Sequence, residues 1–380
     1  MTLLHIGLST STIEPALTHG RLDGIGVYTK ALLQGLPAAG YTVTGFSFSP
    51  FGQSKAEQRF SVGHAMPQSY PVLSACDLLT PDSMRARMPV DLYHATDYRI
   101  FRMACPVVAT LHDAIPLRYP EWCSPRLRSL KNWLQKKAAH KANHVIALSE
   151  FAVAELIESF GANERHITVV PCGVDHAWLL PPPQEAVDET LRMHGLDKGY
   201  FLFVGTLQPR KNIGRIIDAY LALPAAVRHT RQLVIVGRVG WRCEDVVRKI
   251  AAAIQNGERV VWLANLEGED QLQRIYAGAG IFVFPSLYEG FGIPVAEAFA
   301  CGVPVVTSNT TSLPEVSQGA ALEIDPLCVG EIRAAMLALV QDDALRMRCI
   351  AAGRQRASGL SWERTVEQTA AVYRAVLERS

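Results

Sequence analysis

The sequence has no run of the roughly 18 consecutive apolar residues that crossing a bilayer as a helix takes. It has no C-x-x-C pair among its eight cysteines, and almost no net charge, with 37 Lys and Arg against 36 Asp and Glu. Each shortage excludes a class. Without a spanning run, any membrane contact must be peripheral. Without short cysteine pairs, zinc sites and dithiol redox motifs are disfavoured. Several of the cysteines lie in apolar runs and read as small buried hydrophobes, which suits a reducing cytoplasm. A net charge of +1 gives no support to a general polyanion binder, so no nucleic-acid partner is expected. Residues 1–9 (MTLLHIGLS) lack a basic leader and a long apolar core, and read as a first strand rather than a signal peptide.

What is present describes an ordinary globular chain. It has 380 residues, 49% of them hydrophobic and 19% charged. That length exceeds one typical core and predicts two domains. The first part alternates short apolar runs with helical patterns. Strands are expected at Leu3 to Leu8, Tyr41 to Phe48, Val90 to His94, Val107 to His112, Val145 to Leu148 and Ile167 to Val170, with a first helix from Val27 to Leu36. Such βαβ repetition implies a parallel, doubly wound sheet. The stretch from Gly52 to Arg87 is poorly patterned and reads as a mobile excursion with one helix. Pro181-Pro182-Pro183 cannot continue a helix or a central strand, which places a boundary near 176–199. The domains are therefore 1–178 and 179–361. In the second, strands are expected near 200–204, 232–236, 259–263, 281–284, 303–307 and 321–324. Residues 362–380 form an amphipathic tail helix, with Trp362, Val366, Tyr373 and Val376 or Leu377 on one face.

One stretch, from Phe282 to Val306, carries most of the chemistry. It reads as strand, glycine-rich turn, short helix and strand, and such loops at strand carboxyl ends bind ligands in open α/β sheets. Two carboxylates stand at E-x7-E spacing: Glu289 in the turn, and Glu297, expected in the first turn of the helix. Between them Gly290, Phe291 and Gly292 allow backbone N–H groups to approach an anion at a helix start. Taken alone, the pair fits equally a solvated turn residue and an acid complementing the helix dipole. The whole string is more specific.

PSLYEGFGIPVAEAFACGVPVV resembles the donor-site signature of the retaining glycosyltransferase family 4. The following Thr311-Ser312-Leu313-Pro314-Glu315-Val316 is similar to bacterial members that build lipopolysaccharide and exopolysaccharide, many of them mannosyltransferases. The resemblance covers nearly the whole chain, with gaps. It implies the GT-B fold, two Rossmann-like domains facing a cleft, with an acceptor side in 1–178, a nucleotide-sugar side in 179–361 and a last helix crossing back to the first domain. It implies that Glu297 holds ribose hydroxyls and Glu289 those of the transferred sugar, so that neither is a nucleophile.

Other candidates follow in chain order. Asp23-Gly24-Ile25-Gly26-Val27-Tyr28 places two glycines before a helix. Alone this is an ordinary turn, and the third glycine of the dinucleotide fingerprint is missing; by resemblance Gly24 and Gly26 touch the donor diphosphate. His112 ends a strand, where a lone histidine is commonly a hydrogen-bonded structural residue; the run from Leu111 to Glu121 resembles a family segment facing the donor sugar, which places His112 beside the reacting sugar. Residues 124–141 carry Arg126, Arg128, Lys131, Lys136, Lys137 and Lys141 with no acid. This fits a surface helix, or attachment to anionic membrane or to a polyprenyl-diphosphate-linked acceptor, each basic residue adding about 1 kcal/mol at a lipid surface. Gly205, Thr206, Arg210 and Lys211 leave a strand end before a helical pattern. A solvated basic turn is one reading; by resemblance the Arg-Lys-Asn run is a phosphate clamp.

The expected activity is transfer of a hexose, with mannose from GDP-mannose favoured and UDP-sugars as the alternative, onto a saccharide or lipid-linked saccharide. Arg210, Lys211 and the Gly290–Gly292 amides neutralise the leaving diphosphate without a metal or other cofactor. No D-x-D metal motif lies near a plausible site. The family retains anomeric configuration, most simply by same-face attack. A glycosidase pair would leave the phosphate clamp without purpose. Two rivals remain: a nucleotide-sugar epimerase on the same two-domain plan, and a non-catalytic sugar-nucleotide binding module. The expected location is the cytoplasm, at the inner face of the cell membrane where an acceptor lipid requires it.

Overall fold

The structure is a computed structural model that describes residues 3–49, 60–79, 86–122, 135–137 and 139–379, with the backbone alone for 75–79. The chain divides into two compact units. The first comprises Met1–Pro120, Pro125–Cys172 and Trp362–Ser380; the second comprises Glu121–Ser124 and Gly173–Ser361.

In the first unit the described residues form a seven-stranded sheet in the order β3-β2-β1-β4-β5-β6-β7. Its strands are β1 His5–Ser9, β2 Thr42–Ser47, β3 His64–Ala65, β4 Leu92–Ala95, β5 Val107–Leu111, β6 His144–Ala147 and β7 Ile167–Val169. All pairings are parallel, with Ile6 in register with Val43 on one side and Leu92 on the other. β4, β5 and β6 are buried at every residue, so they show no strict alternation of apolar and polar residues.

The tail helix, Trp362–Leu377, belongs to this unit and buries Thr365, Val366, Thr369, Ala370, Val372, Tyr373 and Val376. Its apolar stripe alone does not fix its position. A polar chain does: Tyr373 Oη lies 2.6 Å from His94 Nδ1, His94 Nε2 lies 2.8 Å from Thr110 Oγ1, and Tyr28 Oη lies 2.9 Å from the same hydroxyl. Burial pushes the His94 imidazole down to about 3, so the chain is neutral at physiological pH.

The second unit repeats the winding. Its sheet runs β10-β9-β8-β11-β12-β13, all parallel. The strands are β8 Tyr200–Val204, β9 Leu233–Val236, β10 Val260–Leu263, β11 Ala279–Phe284, β12 Val305–Ser308 and β13 Leu322–Ile324. In each sheet the strand order reverses beside the first strand of the unit: between β1 and β4, and between β8 and β11. At such a point the connections from adjacent strands leave in opposite directions, and a crevice opens at their carboxyl ends.

The expected strands are present within one or two residues, with two departures. The stretch from Gly52 to Arg87 contributes a short edge strand, β3, that its sequence pattern does not announce, along with the expected helix, at Tyr70–Leu79. Two residues pair too briefly to leave a periodic signature. A short helix, Pro15–Thr18, precedes the expected one, which begins at Gly24 rather than Val27 because Asp23 caps it: the Asp23 carboxylate accepts from Gly26 N at 2.9 Å. Of the basic stretch 124–141, residues 124–134 and 138 lie outside the described residues.

Candidate active site

The site of the second unit is assembled from the loops that leave β8 and β11, the two strands at its switch point. After Val204 the chain turns through Gly205 and Thr206 into a single 3-10 turn, Pro209–Lys211, and then into the helix Ile213–Leu221. Gly205 and Gly237 meet back to back: a Cβ on Gly237 would sit 1.9 Å from the Gly205 carbonyl oxygen. Only glycine lets the β8 and β9 loops approach so closely.

After Phe284 the β11 loop runs through Glu289 to Gly292, whose φ of +111° turns the chain into the helix Ile293–Ala300. That backbone conformation explains the glycine. Proline at the second helical position follows the usual preference for the first turn. The expectation that Glu297 lies in the first turn is corrected here. It is the fifth residue of Ile293–Ala300, so it stands one turn inside the helix and does not complement the dipole at its start.

The two loops are cross-linked. Leu287 N donates to Arg210 O at 2.7 Å, and Ser286 Oγ lies 3.1 Å from the same carbonyl. Asn212, in the left-handed region at φ +61°, donates from Nδ2 to Pro285 O at 2.9 Å and to Pro326 O at 2.6 Å. This framework brings three charges together. Arg210 Nη1 lies 2.8 Å from Glu289 Oε2 and also donates to Tyr288 O at 2.9 Å. Lys211 Nζ lies 2.6 Å from Glu289 Oε1 and 4.7 Å from the centre of the Phe284 ring. Ser286 Oγ donates to Oε1 at 2.5 Å.

Glu289 is 6% exposed and Lys211 7% exposed. Burial pushes the Glu289 carboxyl up, but Arg210, then Lys211 and the Ser286 hydroxyl outweigh it and hold the group down at about 2. Behind the loop, Ser312 Oγ lies 2.9 Å from both Glu289 O and Phe291 O, and Ser308 Oγ donates to Ser286 O at 2.6 Å. The Ser312 hydroxyl thereby holds the peptide planes that carry the Gly290 and Gly292 amides.

Glu297 behaves oppositely. Tyr276 Oη donates to its Oε2 at 3.0 Å, yet no cation faces it among the groups that shift it, and burial pushes its carboxyl up to about 7. The two glutamates thus share one helix-loop segment, one carboxyl held low by its cations and the other raised by burial.

The first unit holds the other candidates. Gly24 and Gly26 are inside the first turn of Gly24–Gly35 rather than before it, and the Gly26 amide is taken by Asp23. His112 follows β5 and is buried; its Nε2 lies 2.8 Å from Thr96 O. A carbonyl only accepts, so Nε2 carries the proton and Nδ1 presents a lone pair. Burial lowers the His112 imidazole below its ordinary value.

Sequence reasoning brought Glu289, Arg210 and Lys211 to one place and missed the residues that hold them there. Asn212 stood in the quoted Arg-Lys-Asn run and Ser312 in the Thr311–Val316 run without an assigned role. Tyr276 had no local signal, being 21 positions from its partner.

Comparison with known proteins identifies the family and the fold. Residues 22–178 match the family described as Glycosyltransferase Family 4, and residues 191–356 match Glycosyl transferases group 1. The O-antigen chain mannosyltransferase B of Escherichia coli is 34% identical over 286 residues, 74% of each chain. Sucrose-phosphate synthase from Thermosynechococcus elongatus superposes with a TM-score of 0.75 at 21% identity, covering 99% of this chain and all of that one. Anabaena Alr3699/HepE, in complex with UDP and glucose, superposes with a TM-score of 0.70 at 18% identity, covering 98% of this chain and all of that one. Family matches and fold together define a two-domain α/β glycosyltransferase of GT-B architecture. The chain belongs to glycosyltransferase family 4.

Proposed function

We propose that the protein moves a hexose from a nucleotide diphosphate sugar to a saccharide or polyprenyl-diphosphate-linked saccharide, with retention of configuration and without a metal. The observation that carries this is the pair of half-buried Arg210 and buried Lys211, held on Glu289 at the switch point of the second sheet. A departing diphosphate needs fixed positive charge where its own charge develops. Arg210 supplies a planar fork, Lys211 a point charge, and the helix start at Gly292 adds partial positive charge from its amides. Glu289 accepts from hydroxyls of the transferred sugar and Glu297 from ribose hydroxyls. His112, neutral and with an acceptor at Nδ1, takes a hydrogen bond from the sugar rather than delivering a proton. Same-face attack then lets the leaving phosphate oxygen take the acceptor's proton, so no protein nucleophile is required.

The favoured donor is GDP-mannose and the favoured setting surface polysaccharide synthesis, supported by the name of the mannosyltransferase relative. A UDP-sugar is the second reading, supported by the UDP and glucose held in the HepE structure. No helix among the described residues is long and apolar enough to cross a membrane. Contact with the inner membrane face is proposed through the cations of 124–141. The test is incubation of purified protein with GDP-, UDP-, ADP- and dTDP-sugars plus a saccharide acceptor, in chelator. Nucleoside diphosphate release with a retained new linkage is expected. An isomerised sugar without release would establish the epimerase reading, and a strict divalent-metal requirement would overturn metal independence.

A further inference from the structure

The Glu289 carboxylate spans both cations of the clamp, one oxygen on each, inside a cluster where Lys211 is also enclosed by the Phe284 ring. Two cations and one carboxylate leave a net charge of +1. A diphosphate entering this place therefore does not meet two cations waiting in water; it meets cations already satisfied by a protein anion. On the transferase reading, on which this inference rests, Glu289 faces the hydroxyls of the transferred sugar. In the intact donor these neutral donors occupy the carboxylate beside the diphosphate. After transfer the sugar and its hydroxyls are gone, and the phosphate that carried it has become terminal, with a second pKa of about 6 and about −1.5 to −2 charge at neutral pH. The carboxylate has then lost its hydroxyl donors and shares its two cations with a more highly charged anion.

We infer that Glu289 is a competing anion that weakens the grip of Arg210 and Lys211 on the nucleoside diphosphate product and so drives its release. The ion pair with both cations is the resting partner arrangement to which the site returns when product leaves. This role is distinct from holding sugar hydroxyls. It acts on the product, which has no sugar.

The experiment measures binding of GDP, UDP and inorganic pyrophosphate to the full-length protein and to its Glu289→Gln and Glu289→Asp variants by calorimetry and thermal denaturation. Glutamine keeps the hydrogen-bonding shape and removes the charge; aspartate keeps the charge and shortens the side chain. Like charges forced together at a binding site cost several kcal/mol before screening, so E289Q is expected to bind the diphosphate about tenfold more tightly than wild type, and E289D within about twofold. Without ligand E289Q should melt lower than wild type, because Lys211 has lost its counter-ion, and its ligand-induced rise should exceed wild type's. A purely structural role lowers the melting temperature without raising affinity and overturns the inference; equal changes in E289Q and E289D overturn it as well.

A measurement on the unmodified protein guards against failure of the variants to fold. Wild type should bind the intact sugar nucleotide at least as tightly as the free diphosphate, although the diphosphate carries more charge. Tenfold preference for the free diphosphate overturns the inference. If wild type transfers sugar but E289Q binds product no more tightly, only the inference falls; if wild type neither binds a diphosphate nor releases one from any sugar nucleotide, the transferase reading falls with it.

Discussion

Two carboxylates are buried at corresponding ends of the two sheets, and they are satisfied in different ways. Glu14, after β1, is fully buried and accepts from Ser61 N at 2.8 Å, Ser61 Oγ at 3.0 Å, Val62 N at 3.0 Å and Gly63 N at 3.3 Å. Glu289, after β11, accepts from Arg210, Lys211 and Ser286 side chains. Backbone amides cannot leave without unfolding their segment, so Glu14 organises the approach to β3. Side-chain cations can exchange one anion for another, so on the proposed reading Glu289 can give up its cations to a diphosphate. The same winding of strands thus yields a carboxylate held mainly by backbone amides in one unit and one held by side-chain cations in the other.

The comparison can be broken or sharpened. Lys211→Ala should have the largest effect, lowering turnover by at least about 100-fold with a smaller change in KM, as loss of one preorganised charge at a leaving group does. Steady-state release of nucleoside diphosphate checks it, and wild-type turnover would remove Lys211 from the machinery. Glu14→Ala should cost about 3 kcal/mol of stability, because several buried N–H groups lose their acceptor at once. Its activity per folded molecule should persist, which urea denaturation and an active-site titration would separate.

The site glutamates predict opposite pH slopes. Glu289, held at about 2 against an ordinary 4.5, contributes stability present above about pH 5 and lost as pH falls toward 2. Glu297, raised to about 7, keeps a proton in the folded state that the unfolded chain has released. Stability from it therefore falls as pH rises from about 4.5 to 7. Because Glu297 retains some solvent contact, we expect about 2 kcal/mol across that range, abolished in Glu297→Gln, as followed by melting temperature against pH. Glu297→Ala should in addition weaken donor binding. Ser312→Ala should have the smallest effect, about 1 kcal/mol of stability, with a rise in KM for the donor as the amide loop loosens.

The local patterns of this chain specified its strands, its glycine turns and the loops that would carry charge, because runs such as Phe201–Val204 and Ile281–Phe284 are buried whole and leave continuous apolar signatures. Sequence alone also drew attention to E-x7-E and to Arg210–Lys211, since unusual residue types clustered at strand ends are visible without a fold; the family resemblance supplied their roles. Tertiary structure decided the rest. Glu289 and its cations are 78 and 79 positions apart, and only the adjacency of β8 and β11 at the switch point puts them within 3 Å. It also made the glutamates unlike. Burial opposes the charge on both, but cations answer it at Glu289 and a tyrosine hydroxyl alone answers it at Glu297, a difference of surroundings that no spacing along the chain encodes.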